Sequence, residues 1–246
     1  MRSGRALATV PPRWCLRRGQ VCLIRAGGDR GWSGGKSESH VTGVIPTLVP
    51  VEDTADLLNV VDVEATCWEG GPPPGQVSEI IEIGLTEVDL ASGERLAKHR
   101  ILVRPRRSVV SPFCTGLTGL TQAEVDTGVD FAEACRRLAV EHRAGVRPWA
   151  SWGDYDRKQF DRQCRASGVA YPFGRRHWNA KLVFTRAHGL RKRPGMAQAL
   201  EIAGLPLEGR HHRGEDDAWN IAGLVLHLAG RDAWPAEPTT PPEEYR

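Results

Sequence analysis

The sequence predicts an α/β domain built on a mixed β-sheet, because three strand-like segments come first and helical segments alternate with a strand after them. "LLNVVDVEA" has the apolar run of a buried strand, and "SEIIEIGLTEVDL" and "RLAKHRILVRP" read as two more strands. The short turn "ASGE" joins the last two, which predicts an antiparallel hairpin. We therefore expect three antiparallel strands, followed by parallel additions and flanked by helices.

The second half of the domain is predicted to be mainly helical. Apolar periodicity predicts helices over Phe131–His142, about Tyr155–Ser167 and about Gly214–Leu228, with a short helix in "GMAQALEIAGL". "RPWAS" reads as a short strand, and "WNAKLVFTRAHGL" is compatible with a strand end or a helix. These elements define one domain over residues 57–232.

The two ends of the chain have the composition of disordered segments. Residues 1–56 form a basic leader in which Arg, Gly, Ser and Pro alternate without a sustained period. Its Arg-rich, acid-poor start also resembles a mitochondrial presequence, which leaves a targeting role open. Residues 233–246 are rich in Pro and Glu, which predicts a disordered tail.

The composition limits the kinds of function that the protein can have. The net charge of +3 over 246 residues does not by itself indicate a nucleic-acid-binding protein. The six cysteines include no Cys-x-x-Cys pair, which favours reduced thiols in a cytoplasmic protein over a structural zinc site. No segment approaches the roughly 18 apolar residues that a membrane span needs, so we expect no membrane contact.

Four carboxylates from three elements fall on faces that the periodicity assigns to the core. Asp62 and Glu64 are two residues apart on the first strand, so they share one face. Asp156 aligns with the apolar stripe of its helix, and Asp217 lies one turn before Ile221 on the stripe of the last helix. Each position also has an ordinary interpretation, either an edge strand with one wet face or a carboxylate at a helix N-terminus.

Carboxylates that point inward together repel one another unless a cation lies between them. Two divalent ions supply that charge, and oxygen-only ligands favour Mg²⁺ or Mn²⁺ over zinc. Two such ions are the arrangement for in-line attack on a phosphodiester, and a nearby His can take the proton of the attacking water. His212 is the candidate base, and the adjacent His211 is the alternative. Asp154 is the alternative to Asp156 as the metal-binding carboxylate of its helix.

Three motifs at these positions match a known family. "VVDVEAT", "WGDYDRKQF" and "HHRGEDDAWNIAG" resemble, in order and spacing, the motifs of the DEDDh 3′→5′ exonucleases, which have a ribonuclease H-like fold. "FCTGLTGLTQAEV" and "LEGRHHRGEDDAWNIA" are similar to the Eri1-like branch, which includes KapD-type proteins. The resemblance implies Asp62, Glu64, Asp156 and Asp217 as metal ligands and His212 as the general base.

The same resemblance implies a metal-dependent exonuclease that releases nucleoside 5′-monophosphates from single-stranded 3′ ends, with RNA favoured over DNA. Two Mg²⁺ or Mn²⁺ ions would be the cofactors, and single-stranded nucleic acid would be the partner. A proofreading-type DNA exonuclease and a non-catalytic nucleic-acid-binding module are the alternatives.

Substrate contacts are expected from two places in the sequence. Thr66 and Trp68 follow the first motif directly, where the terminal nucleotide lies in related enzymes. The "GLRKRPG" loop concentrates charge that could hold a nucleic-acid backbone, in Arg191, Lys192 and Arg193. "FGRRHW" and "RPRR" are two further basic clusters, and each cluster is also compatible with ordinary solvated charge.

Overall fold

The computed structural model describes residues 14–17, 20–23 and 56–239, in two compact units that we treat separately. In the first unit, β1 (Trp14–Arg17) pairs antiparallel with β2 (Gln20–Leu23). This pairing falls inside the leader for which the sequence predicts disorder. The rest of the leader before residue 56, and residues 240–246, lie outside the described residues.

The second unit is organised by a five-stranded mixed sheet, as predicted. Its strands are β3 (Leu57–Ala65), β4 (Ile80–Asp89), β5 (Glu94–Leu102), β6 (Trp149–Ser151) and β7 (His177–Asn179), in the order β5-β4-β3-β6-β7. The pairs β3–β4 and β4–β5 are antiparallel, whereas β3–β6 and β6–β7 are parallel. The carboxyl ends of the three parallel strands therefore meet at one edge of the sheet.

Seven helices of the described chain flank this sheet. They are α1 (Pro112–Thr118), α2 (Gln122–Val125), α3 (Phe131–Glu141), α4 (Tyr155–Ser167), α5 (Ala180–Ala187), α6 (Met196–Ala203) and α7 (Gly214–Ala229). The ambiguous segment "WNAKLVFTRAHGL" holds both predicted elements, since β7 ends at Asn179 and α5 begins at the next residue. The Asn179 side chain caps α5 by accepting a hydrogen bond from the Leu182 N–H at 2.9 Å.

Both faces of β3 are covered, which excludes the edge-strand interpretation of its two acids. Leu58 and Val60 belong to a core cluster shared with α5, α6 and α7. Val61 and Val63 belong to a second cluster on the opposite face, with α3 and α4. By the period of two, Asp62 and Glu64 point to the same face as Val60, towards α7.

The start of α7 approaches β4 so closely that no side chain fits between them. A Cβ atom on Gly84 would lie 1.9 Å from the Gly214 carbonyl oxygen. Gly84 is also the cross-strand partner of Asp62, so this contact sets the distance between β3 and the first turn of α7. The two glycines thereby bring Asp217, on that first turn, to the level of Asp62.

We predict that Gly84→Ala lowers the free energy of unfolding by about 1–3 kcal/mol, because the new methyl group must push β4 and α7 apart. At about 2–4 °C per kcal/mol, the unfolding temperature should fall by several degrees. Gly116→Ala is the matched control, since a Cβ there meets nothing within 4 Å. Equal unfolding temperatures for the two variants would contradict the close-approach argument.

The domain extends further towards the C-terminus than the predicted boundary at residue 232. Trp234 stacks on Trp178 with ring centroids 6.2 Å apart, and the Pro235 carbonyl accepts a hydrogen bond from the Trp178 indole N–H. The Thr239 hydroxyl oxygen accepts a hydrogen bond from the Asn179 N–H at 2.6 Å. The prediction of a loose tail from residue 233 is therefore wrong as far as residue 239, because these contacts tie the segment to β7. Within the described residues, no helix is both long and apolar enough to cross a bilayer.

Candidate active site

The carboxyl end of β3 and the first turns of α4 and α7 enclose one cleft. Its volume is about 380 Å³, and its lining includes Asp62, Glu64, Asp156, Asp217, His211 and His212. This lining distinguishes between the two candidate aspartates but not between the two candidate histidines. It contains Asp156 rather than its competitor Asp154, but it contains both histidines.

Three of the carboxylates lie close enough to share a cation. Oxygens of Asp62, Glu64 and Asp217 are all within 4.8 Å of one another. Burial, followed by the charge of Asp217, raises the pKa of Glu64 to about 8. Burial, followed by the charge of Asp156, raises the pKa of Asp62 well above its ordinary value. The fold therefore forces together negative charges that destabilise it.

Asp156 completes the group from the first turn of α4. Its side chain is 3% exposed, and Oδ1 accepts a hydrogen bond from the Val63 N–H at 3.0 Å. Burial raises its pKa to about 6, although hydrogen bonds from the backbone oppose that shift. Asp154 occupies the helix N-cap position, where Oδ2 accepts a hydrogen bond from the Asn179 amide at 3.0 Å.

The two histidines stack on each other beside Asp217. Their ring centroids are 3.9 Å apart, and the His211 Nδ1 lies 2.9 Å from the Asp217 Oδ2. His212 has a left-handed backbone with φ of 65°, and its N–H donates to the same carboxylate oxygen at 3.0 Å. Burial, followed by the charge of His211, lowers the pKa of His212. His211 thus contacts a carboxylate through its ring, whereas His212 does so through its backbone and keeps its ring available.

A fifth carboxylate, which the sequence analysis missed, supports the site from β4. Glu82 is fully buried and is the cross-strand partner of Glu64. Its Oε2 accepts a hydrogen bond from the Gly214 N–H at 3.0 Å, and its Oε1 pairs with Arg100. Glu82 therefore holds the N-terminus of α7 in place, where a negative charge is favourable. A Glu inside the apolar run "EIIEIGL" was the available signal.

The sequence model of the family described as Exonuclease (RNase_T) matches residues 60–225. The chain belongs to this exonuclease family. The match contains every carboxylate of the cleft, and it confirms the resemblance to 3′→5′ exonucleases found from the three motifs.

The chain resembles known exonucleases in sequence and in structure. It is 30% identical to the 3′-5′ exoribonuclease 1 of Rattus norvegicus over 72% of this chain and 54% of that protein, and so spans about half its length. It is 31% identical to the 3′-5′ exonuclease Snipper of Drosophila melanogaster, over 68% of this chain and 67% of that protein. The nuclease domain of 3′hExo, a DEDDh family member bound to rAMP, is similar with a TM-score of 0.67 and 27% identity, over 77% of this chain and 99% of that one. The last match confirms the ribonuclease H-like fold.

The predicted substrate contacts lie at different distances from the cleft. Thr66 is fully buried, and its hydroxyl contacts the Glu79 N–H and the Ser108 Oγ. Trp68 is half-buried and follows Cys67, which lines the cleft. Since the Thr66 hydroxyl is enclosed by the protein, only Trp68 of this pair can offer its side chain to a nucleotide.

The basic loop 191–193 adjoins the cleft, whereas the "FGRRHW" cluster does not. Arg191, Lys192 and Arg193 are exposed between α5 and α6, and Gly195 and Met196, just after them, line the cleft. Residues 175–176 precede β7, and so lie at the amino end of the parallel strands. The first cluster therefore lies beside the cleft, and the second lies at the opposite end of the parallel strands.

Proposed function

We propose that this exonuclease removes nucleoside 5′-monophosphates from single-stranded 3′ ends in a divalent-metal-dependent reaction, with RNA as its favoured substrate. The observation that carries the proposal is the convergence of four carboxylates and a histidine pair in one cleft. The preference for RNA is supported by two relatives named as exoribonucleases and by the rAMP bound to the similar nuclease domain.

The donor set of the cleft fits hard divalent cations. Asp62, Glu64, Asp156 and Asp217 offer carboxylate oxygens and no sulfur, which suits Mg²⁺ or Mn²⁺ better than zinc. Burial raises the pKa values of all four acids, and the charges of the neighbouring site acids raise those of Asp62 and Glu64 further. We propose that these residues hold two such ions. When bound, the ions would supply an activated water and charge stabilisation at the phosphate.

The chain's own groups supply the proton transfer and the positioning. His212, with its lowered pKa, is neutral near pH 7 and can accept a proton at a ring nitrogen. The ring of His211 contacts Asp217 and orients that carboxylate, as partners of metal ligands commonly do. Tyr155 and Met196 line the cleft and provide apolar surface for the terminal nucleotide.

The experiment that tests the proposal is digestion of 5′-labelled single-stranded RNA and DNA of one sequence, with Mg²⁺, Mn²⁺ or EDTA. We expect a ladder that shortens from the 3′ end only with a divalent metal, and that forms faster on RNA. The control is Asp62→Ala, which should give no ladder. A faster ladder on DNA would favour the proofreading type, and intact strands bound by a folded protein would favour the binding module.

We predict a defect in turnover for the His212 variant and a defect in metal binding for the His211 variant. The difference identifies which histidine is the base. His212→Asn should lower turnover by about 10²–10⁴-fold and leave the affinity for Mn²⁺ unchanged, because it removes a base outside the metal site. Asn also tolerates the left-handed backbone at this position. His211→Ala should weaken Mn²⁺ binding by about 10-fold or more, because Asp217 loses its ring partner. Turnover against Mn²⁺ concentration measures both, and the reverse pattern would make His211 the base.

We also propose a cytoplasmic location for this exonuclease. Among the described residues, Cys67, Cys114, Cys135 and Cys164 are free thiols, as suits a reducing compartment. Localisation of the tagged full-length chain by microscopy tests this, and an organellar signal would overturn it.

A further inference from the structure

A second cavity, of about 420 Å³, opens further along α4 and is surrounded by arginines. Arg104, Arg106 and Arg107 come from the segment after β5, and Arg162 comes from α4. Apolar groups lie between them, including Phe131, Ala166 and Val169. The three residues 104, 106 and 107 belong to the "RPRR" cluster, to which the proposed reaction assigns no role.

The charge of this cavity is not neutralised by the part of the chain that the structure describes. Arg104 and Arg107 are exposed and form no ion pair with a described residue, and Arg106 has only Asp130, at 3.8 Å. The other acid of the lining, Glu79, accepts hydrogen bonds from the Arg106 N–H, the Arg107 N–H and the Ser108 hydroxyl. Its carboxylate is thereby committed to the backbone of the segment, and the guanidinium groups remain available to an anion.

The arginine segment is fixed to the strand that carries the catalytic acids. The Glu79 N–H donates to the Thr66 hydroxyl oxygen at 2.9 Å, and the Ser108 Oγ lies 3.0 Å from the same oxygen. Thr66 directly follows the last residue of β3. The buried Thr66 therefore joins the arginine segment to the end of the strand, so the arginines hold a set position relative to the cleft.

Ser78 connects the cavity to the cleft along α4. Ser78 lines the cavity, and it is hydrogen-bonded to Tyr155, which lines the cleft. The Gln159 amide also donates to the Ser78 carbonyl at 3.1 Å. From Tyr155 to Gln163, which lines the cavity, the helix advances about 12 Å at 1.5 Å per residue. This is roughly the length of two to four nucleotides of a single strand.

We propose that this arginine-lined cavity binds the sugar-phosphate backbone of the substrate roughly two to four nucleotides on the 5′ side of the scissile bond. The inference rests on the proposed function, because it assigns a second part of the same substrate. Guanidinium groups bind phosphates bidentately and can also stack on unpaired bases, whose other face the apolar lining would cover. Dinucleotides, which end before the cavity, would not benefit from it.

The test compares a dinucleotide with an octanucleotide of uridine in Arg104→Ala/Arg107→Ala. Steady-state turnover with Mn²⁺ should show a KM for the octamer that is about tenfold higher, and a KM for the dinucleotide within twofold of wild type. Fluorescence anisotropy of the labelled octamer in EDTA should show that the affinity of the variant depends less on salt concentration than the affinity of the wild type does. The slope of log K against log salt should be smaller by about 1.4, for two phosphates of a single strand.

Arg136→Ala/Arg165→Ala is the matched control, because both arginines are exposed and pair with acids on their own helices. The control should leave all these constants within twofold of wild type. An octamer KM and salt slope equal to wild type in the Arg104/Arg107 variant would overturn the proposal, as would an equal loss for dinucleotide and octamer. If the wild-type protein cuts neither substrate, the proposed function fails, and the anisotropy measurement still decides whether the cavity binds a strand.

Discussion

Asp62→Asn is expected to lower exonuclease turnover by roughly 10³-fold or more and, in the metal-free protein, to raise the unfolding temperature. Activity falls because the carboxylate between β3 and α7 is lost as a metal ligand. Stability rises because the same carboxylate is buried beside other acids. Burial, followed by the charges of Asp156 and Glu64, raises its pKa. Removing one charge from this group should stabilise the metal-free fold by about 1–2 kcal/mol, or several degrees.

Asp161→Asn is the control for this prediction. Asp161 lies on α4 but pairs with Arg165 at the surface, so both activity and unfolding temperature should change little. Turnover is measured on labelled oligonucleotides with Mn²⁺, and unfolding is measured in EDTA. If Asp62→Asn lost activity and also lowered the unfolding temperature in EDTA, Asp62 would be a structural acid and the metal assignment would be wrong.

The four candidate carboxylates could be proposed from the sequence because local periodicity determines which way each one points. The period of two placed Asp62 and Glu64 on one face of β3, and the helical stripe favoured Asp156 over Asp154. The structure places Asp156 in the cleft, where it accepts a hydrogen bond from the Val63 N–H. Such inferences need no knowledge of which elements become neighbours, which is why they can be made from a single sequence.

The features that the sequence did not reveal all depend on contacts between distant segments. Glu82 looks like an ordinary strand residue until Arg100 and the N-terminus of α7 are brought against it. The tail beyond residue 232 looks disordered until Trp234 meets Trp178. Thr66 was a reasonable candidate for substrate binding by position, but its hydroxyl faces the segment after β5. The face of a helix or strand on which a residue lies can be predicted from the neighbouring residues of that element. The distant residue that its side chain contacts cannot be predicted in this way.

Adding Mn²⁺ is expected to raise the unfolding temperature much more at pH 8.5 than at pH 5.5. Burial, followed by the charge of Asp217, raises the pKa of Glu64 to about 8, and burial raises the pKa of Asp156 to about 6. The folded state therefore holds these protons more tightly than the unfolded chain, and the metal-free protein loses this stability as the pH rises through these values. A cation at 100 times its dissociation constant restores about 2.7 kcal/mol, or roughly 5–10 °C, at the higher pH, whereas at pH 5.5 it must displace protons.

The difference between the unfolding temperatures with and without Mn²⁺ separates the effect of the site from the effects of the other titrating groups. Buried His177, whose pKa is lowered to about 3, destabilises the fold as the pH falls below about 6.5, but it does so with or without the cation. Glu133, whose pKa is lowered to about 2 by Arg136 and Arg137, changes stability only below the pH range used. Asp217→Asn should reduce the Mn²⁺ effect at pH 8.5, and Asp161→Asn should retain it. An equal rise at both pH values would mean that Mn²⁺ binds elsewhere, because a cation held by these carboxylates has to compete with their protons.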